Sequence, residues 1–341
     1  MSVFGHRGFK ANYPENTLEG FDHCLATGCS GIETDVWLLK DKVAVVSHDP
    51  NTKRVFCHKD GSEADYEIPE TDFSELKPLV DLELRAPLIS FHDLLTWFVK
   101  NQAQGAGDQK IMLDIKIGNP PEILEVVFKE MYQLHQDWGF WARHVQLGVW
   151  HLDFLKYLNQ APYFQQIPND VTWEVVNISF LWTVLVPFVE YSAWLDTADV
   201  KRPYKLLAVL LIYLLTWTPL FVARFVPLLR QHSMSLFSWT INWRGQMDYL
   251  RLVAETAQLQ WGVISDHPDK AVAWSKSPIA HAELSWLQKG LAYGFDHFFH
   301  KPQQVLAAAF AAPVDPHHRH TLKRSKVGMY IFQWLQRQGW L

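Results

Sequence analysis

The chain has 341 residues, enough for one large barrel or two smaller domains, with 20% charged residues and a net charge of −5. That charge argues against nucleic-acid binding as the main task, and three unpatterned cysteines (Cys24, Cys29, Cys57) argue against a disulfide framework and for a reducing compartment. Sixteen tryptophans are the oddity, because tryptophan fills cores but also suits places where one side is apolar and the other wet.

In chain order the pattern is an alternation of strands and helices. Met-Ser leads straight into a strand, Val3 to Gly8, so no signal peptide is expected. A helix follows from Asn16, where Asn16 and Glu19 have the spacing of a capping box. Gly31 to Leu39 and Val43 to His48 read as strands. Residues 50 to 85 are polar and partly acidic and break the alternation. A helix over Ser90 to Lys100, a strand over Lys110 to Ile117 and a helix opened by Pro120-Pro121 restore it. Val145 to Leu152, Thr172 to Phe180, Tyr204 to Tyr213, Leu236 to Ile241 and Gly262 to Ser265 then read as strands, each followed by an apolar helical stretch. This repetition gives an α/β class with a parallel sheet covered on both faces.

The chemistry gathers near the start. Gly5-His6-Arg7-Gly8, Gly31-Ile32-Glu33-Thr34-Asp35 and Ser47-His48-Asp49 place histidines, an arginine and carboxylates at the ends of strand-forming runs. Side chains two apart on a strand share a face, so Glu33 and Asp35 offer hard oxygen ligands in one direction. Arg7 carries a permanent planar fork suited to phosphate, and histidine moves its proton near neutral pH. Taken singly, a strand-end histidine is more often structural and a Glu-x-Asp pair more often a solvated face. Together they suggest metal-assisted attack on a phosphate ester.

With Pro14-Glu15-Asn16-Thr17 between them, these motifs resemble the glycerophosphodiester phosphodiesterase family. The sequence is similar above all to its fungal phosphatidylglycerol phospholipase C branch, through Phe9-Lys10-Ala11, Met112-Leu113-Asp114-Ile115-Lys116 and Trp239-Thr240-Ile241-Asn242. The resemblance covers roughly residues 3 to 270. It implies that the alternation closes as a (β/α)₈ TIM barrel over residues 1 to 275, with a small insertion at about 50 to 85 over the mouth. It further implies that Glu33, Asp35 and Asp114 hold a divalent cation, that Arg7 and Lys116 contact the phosphate, and that His6 and His48 are acid and base. The all-oxygen set suits Mg²⁺ or Ca²⁺. Most relatives outside the fungal branch carry Glu where Asp114 stands, and Asp is one methylene shorter. Trp239 is expected to line the pocket and pack against glycerol, or to belong to the barrel core.

The implied reaction is phospholipase C-type cleavage of phosphatidylglycerol to diacylglycerol and glycerol 3-phosphate. The alternatives are a soluble glycerophosphodiester phosphodiesterase or a lysophospholipase D on the same scaffold. A membrane-binding scaffold without catalysis is a fourth reading, disfavoured because it needs none of the polar site residues.

Two features lie beyond a plain soluble enzyme. Leu206 to Ala223 is free of charge and long enough to suggest a membrane span, but Thr218-Pro219 is a helix-start signal that divides it into a buried strand and a separate helix running to Arg230. That helix and the apolar stretch from Phe180 to Trp194 either pack on each other or lie partly in lipid. Residues 276 to 341 form the other feature: Leu284, Leu287, Leu291, Phe295 and Phe298 recur at helical spacing. His317, His318, Arg319, His320, Lys323, Arg324 and Lys326 then precede an aromatic end. This describes an amphipathic tail docked on the barrel or anchored at an anionic membrane surface, with intracellular, peripheral localisation expected.

Overall fold

The computed structural model describes residues 1–279 apart from positions 106, 180, 199, 201, 219 and 220. The amphipathic and basic tail therefore lies outside the described residues. Eleven strands occur among the described residues: β1 (Ser2–Gly5), β2 (Gly31–Leu38), β3 (Ala44–Val46), β4 (Phe56–Cys57), β5 (Val80–Asp81), β6 (Lys110–Ile115), β7 (Val145–Val149), β8 (Trp173–Ser179), β9 (Tyr204–Ile212), β10 (Ser235–Trp239) and β11 (Trp261–Ser265). Eight of them, β1, β2 and β6 to β11, pair in parallel and in chain order, and β1 meets both β11 and β2, which closes the sheet into a (β/α)₈ TIM barrel. β3 is antiparallel to β2 on the outside, and β4 and β5 form a small antiparallel ribbon in the segment that breaks the alternation.

Two apolar layers explain the closure. Alternate side chains point inward, where Phe4, Met112, Val176, Ile178, Leu210, Phe237 and Ile264 fill the lumen. The intervening ones, such as Ile32, Leu113, Leu147, Val175, Val209 and Val263, face outward under the helices. Strands buried on both faces read as near-continuous hydrophobic runs, and so the strands from Val145 onward are nearly free of charge. A third cluster, with Trp37, Leu39, Ile68, Leu76 and Leu79, fastens the inserted segment to the flank of β2 and β3.

The local details differ from expectation in places. The first helix is Leu18–Ala26 and its cap is Thr17, whose hydroxyl accepts from the Gly20 amide at 3.2 Å. Asn16 is no cap. It sits at φ 59°, a region asparagine tolerates better than most residues, and sends its side chain to the barrel mouth instead. β1 ends at Gly5 and β3 at Val46, so His6, Arg7 and His48 stand on loops just beyond their strands rather than within them. β9 occupies the first half of the uncharged run, and the Thr218 hydroxyl accepts from the Phe221 amide at 3.2 Å, ahead of a helix over Val226–Gln231. Among the described residues no helix is long and apolar enough to cross a membrane.

Gly31 allows β2 to approach β6: a Cβ there would run into the Lys110 carbonyl oxygen. Backbone, unlike a flexible side chain, cannot swing aside. Gly31→Ala is expected to lower unfolding free energy by about 1–3 kcal/mol, the usual cost of overpacking, measured by urea denaturation of the full chain.

Candidate active site

The C-terminal ends of the barrel strands converge on a patch of buried charge. β2 supplies Glu33 and Asp35 from one face, and the parallel register sets Asp35 directly beside Asp114 of β6. One oxygen from each of Glu33, Asp35 and Asp114 lies within 4.8 Å of the others, and all three residues are buried. Three carboxylates so close cannot all stay ionised without positive charge nearby. Burial, then the charges of Asp35 and Asp114, push the Glu33 carboxyl well up. Burial likewise pushes Asp114 up, against the pull of Lys116. Asp35 goes the other way: burial opposes ionisation, but Lys116, Arg7 and the Asn16 hydrogen bond hold its carboxyl below the usual range.

The cations are arranged accordingly. Lys116 is 1% exposed and bridges Asp35 Oδ1 at 2.7 Å and Asp114 Oδ2 at 2.8 Å. Its ammonium is held above its ordinary pKa because these two carboxylates outweigh the cost of burial. Arg7 takes a left-handed backbone conformation (φ 50°) that turns its amide onto Glu33 Oε2 at 3.0 Å. Its Nη1 contacts both oxygens of Glu15 at 3.1 and 3.2 Å, while Nε faces Asp35 Oδ2 at 3.6 Å, beyond hydrogen-bond length.

The two histidines flank this patch, each with a carboxylate on Nδ1. His6 meets Asp266 Oδ1 at 2.6 Å, just past β11, and Asp266 in turn accepts from Asn242 Nδ2 at 2.7 Å. His48 meets Asp49 Oδ1 at 2.7 Å, and its carbonyl accepts from Trp37 Nε1 at 3.2 Å. A carboxylate on Nδ1 favours the proton there and leaves Nε2 as the nitrogen with the free lone pair when the ring is neutral. Burial lowers the pKa of both rings. Arg7 adds to this for each of them, and Lys116 and Arg54 lower His48 further, whereas Asp266 partly restores His6.

All seven polar residues expected from the motifs are thus brought to one mouth, and Trp239 stands beside them with its ring centroid 6.2 Å from that of Trp150. Sequence reasoning missed several partners. Trp150 donates its indole N–H to Asp114 Oδ1 at 2.6 Å, so both oxygens of the short Asp114 side chain are oriented, one by Trp150 and one by Lys116. Asn16 donates to Asp35 Oδ2 at 2.9 Å while accepting from Thr34 at 2.8 Å. Glu15, Asp49 and Arg54 form a further ion-pair chain. Glu15, Asn16 and Asp49 were visible inside the quoted motifs, and Asp266 at the end of a strand, but nothing local marks Trp150 or Arg54.

The donor set fits a divalent cation. It offers oxygen alone, it is buried, and its like charges crowd one another in a way that a cation would relieve. The opposite end of the barrel holds a cavity of about 790 Å³ lined by Lys110, Gln146 and Glu174, where Lys110 and Glu174 are already paired at 2.6 Å.

Residues 6–270 match the glycerophosphoryl diester phosphodiesterase family. A glycerophosphodiester phosphodiesterase of Bacillus altitudinis is 48% identical over 68 residues, 20% of this chain and 27% of that protein. Lysophospholipase D GDPD1 of Mus musculus is 28% identical over 149 residues, 42% of this chain and 43% of that one. The matches therefore span less than half the length of these curated relatives. The fold is shared with a phosphodiesterase of Oleispira antarctica in complex with the product sn-glycerol-3-phosphate, at TM-score 0.56 and 17% identity over 81% of this chain and 97% of that one. A glycerophosphodiester phosphodiesterase of Parabacteroides distasonis gives 0.54 and 16% over 80% and 95%. The family match opens on His6 and runs past β11, so that it takes in every strand end that feeds the charged mouth, and the chain belongs to the glycerophosphoryl diester phosphodiesterase family.

Proposed function

We propose that this protein is a metal-dependent phosphodiesterase acting on a glycerophosphodiester. The observation that carries the reading is the buried triad Glu33, Asp35 and Asp114, flanked on both sides by carboxylate-oriented histidines. The triad is the place for Mg²⁺ or Ca²⁺, which would supply positive charge against the phosphate and its departing oxygen. Arg7 and Lys116 lie where they can share the phosphate once it competes for them with the carboxylates. The product seen with the Oleispira antarctica enzyme supports a glycerol phosphate ester as substrate.

His48 has its pKa driven well down and keeps Nε2 free of a proton, which suits it to take one from the attacking hydroxyl. Burial and Arg7 lower the pKa of His6 too, but less far than that of His48 because Asp266 opposes them, and His6 is therefore assigned as the donor to the leaving oxygen. Of the motif serines and cysteines only Ser47 adjoins a histidine, and its hydroxyl is turned to the Asp49 carbonyl at 3.4 Å rather than to either ring. The attacking group is therefore water or a hydroxyl of the substrate. In a glycerol ester the hydroxyl next to the phosphate is already at intramolecular proximity, worth about 7 kcal/mol or more. Its attack on phosphorus forms a cyclic glycerol phosphate and expels the other alcohol, which takes the proton from His6.

A finer reading, that the ester is an intact lipid such as phosphatidylglycerol, is favoured by the rim. Leu181, Leu214 and Trp243 come after the adjacent strands β8, β9 and β10 and are 57%, 67% and 70% exposed, large apolar groups to which acyl chains could be bound. Peripheral attachment to an anionic intracellular membrane is part of this reading. A glycerophosphodiester phosphodiesterase or lysophospholipase D acting on smaller esters uses the same catalytic groups.

Incubation with a panel of intact, mono-acylated and deacylated glycerophosphodiesters should release a phosphomonoester or its cyclic form, and excess chelator should abolish release. Full turnover in chelator would overturn the metal assignment. Conversion of deacylated esters alone would remove the lipid reading but keep the reaction. Replacing His6 or His48 by Ala is expected to lower kcat about 10²-fold or more, with KM little changed. A substrate lacking the hydroxyl next to its phosphate should bind yet barely react, and its rapid hydrolysis would exclude the cyclic route in favour of water.

A further inference from the structure

The inserted segment does more than cover the flank of the barrel: one of its side chains enters the site. Arg54 sits in the turn after β3, and that turn is fixed by Thr52, which is fully buried. Its hydroxyl donates to the Ala64 carbonyl at 2.7 Å and accepts from the Tyr66 amide at 3.0 Å, while its carbonyl takes the Phe56 amide at 2.9 Å. From this rigid turn the guanidinium reaches two carboxylates at once. Nε donates to Asp49 Oδ2 at 2.6 Å, and Nη2 and Nη1 donate to Glu15 Oε1 and Oε2 at 2.6 and 3.1 Å. The other oxygen of Asp49 holds His48 Nδ1, and Glu15 holds Arg7.

We propose that Arg54 is a positioning residue for the reaction: its fork ties Asp49 to Glu15, and through them it sets the tautomer of His48 and the seat of Arg7. This rests on the phosphodiesterase reading for its catalytic consequence, but not for its geometry. The physical reason is that each tied carboxylate would otherwise have freedom it should not have. An Asp49 without Arg54 can rotate away from His48 Nδ1 and leave the ring to choose either tautomer, as an imidazole does when its orienting partner is weakened. A Glu15 without Arg54 keeps Arg7 as its nearest cation, with Lys10 at 4.0 Å, and draws that guanidinium toward itself, away from a phosphate. Arginine is suited to this task because it can present separate N–H groups to two acceptors in fixed directions, which lysine cannot.

The groups facing His48 are Asp49 and Arg54 from the turn, Arg7 and His6 from the end of β1, and Lys116 from the end of β6. Removing Arg54 takes away one positive neighbour, which favours a protonated His48, and frees Asp49 from Nδ1, which disfavours it, so a shift of the acidic limb of log kcat/KM against pH in either direction reports the loss of the clamp.

The test uses the full chain with saturating Mg²⁺ and a glycerophosphodiester that the wild type turns over. Arg54→Met keeps the bulk of the side chain and removes the fork. It should lower kcat roughly 10–100-fold, as loss of an outer orienting partner does, with KM changed less than kcat and the acidic limb displaced. Nitrogen NMR of the imidazoles should show the His48 Nδ1–H form predominating in the wild type and a mixture of tautomers in the variant. Arg54→Lys, which keeps the charge but lacks the planar fork that holds Asp49 and Glu15 in fixed directions, should hold the limb near its wild-type position while kcat stays reduced. This variant decides the matter if Arg54→Met does not fold. A folded Arg54→Met with kcat within twofold of wild type and an unmoved limb would overturn the proposal and leave Arg54 as an anchor of the inserted segment. So would wild-type kcat in Arg54→Lys. If the wild type turns over no glycerophosphodiester, the reaction reading fails, and the tautomer spectra still judge the clamp: an unchanged Nδ1–H form in Arg54→Met would sink it.

Discussion

Like charge is contained in a buried place at the mouth of the barrel, and the surrounding residues are arranged around that containment. Glu33, Asp35 and Asp114 face one another at the barrel mouth with almost no exposure, and isolated carboxylates in such surroundings would take up protons. What keeps Asp35 ionised is Lys116, anchored two residues beyond Asp114 on the same face, together with Arg7. Lys116 is among the most deeply buried large side chains, and that burial is tolerable because two carboxylates receive its ammonium. The outer acids Glu15, Asp49 and Asp266 extend the same logic, each paired with a cation or histidine at the rim.

The barrel supplies the rigidity that such an arrangement demands. Parallel pairing in register brings Asp35 beside Asp114 without any loop having to hold them, and the apolar lumen below, built from Phe4, Met112 and Phe237, closes off the site from beneath. The loops add the groups whose angle matters more than their depth. Arg7 and Asn16 both use left-handed backbone to turn toward the carboxylates, and local strain of this kind is found where a fold holds a site in place.

Much of this was legible in the sequence, for a physical reason. The period-two spacing of Glu33 with Asp35, and of Asp114 with Lys116, is a local property of strands, and so is the run of uncharged residues that marks a strand buried on both faces. The closure of eight strands came from the resemblance of the motifs, since alternation by itself gives a parallel sheet and no more. What stayed hidden depends on contacts distant in sequence. Trp150 reaches Asp114, and Arg54 reaches Glu15, across separate elements, and a lone tryptophan or arginine carries no mark of its partner. Asn16 was misplaced because the helix-start signal and the site overlap in Pro14-Glu15-Asn16-Thr17. Thr17 took the cap, and Asn16 was left for Asp35.

On the proposed function, the buried carboxylates form a binding site for one divalent cation. Calorimetric titration of Mg²⁺ and of Ca²⁺ into the full chain, beside Asp35→Asn, tests it most directly. At least one of the two ions should bind saturably at a single site per chain, and binding should be greatly weakened when the Asp35 charge is removed. Absence of saturable binding for both ions in the folded wild type, or equal affinity in Asp35→Asn, would contradict it.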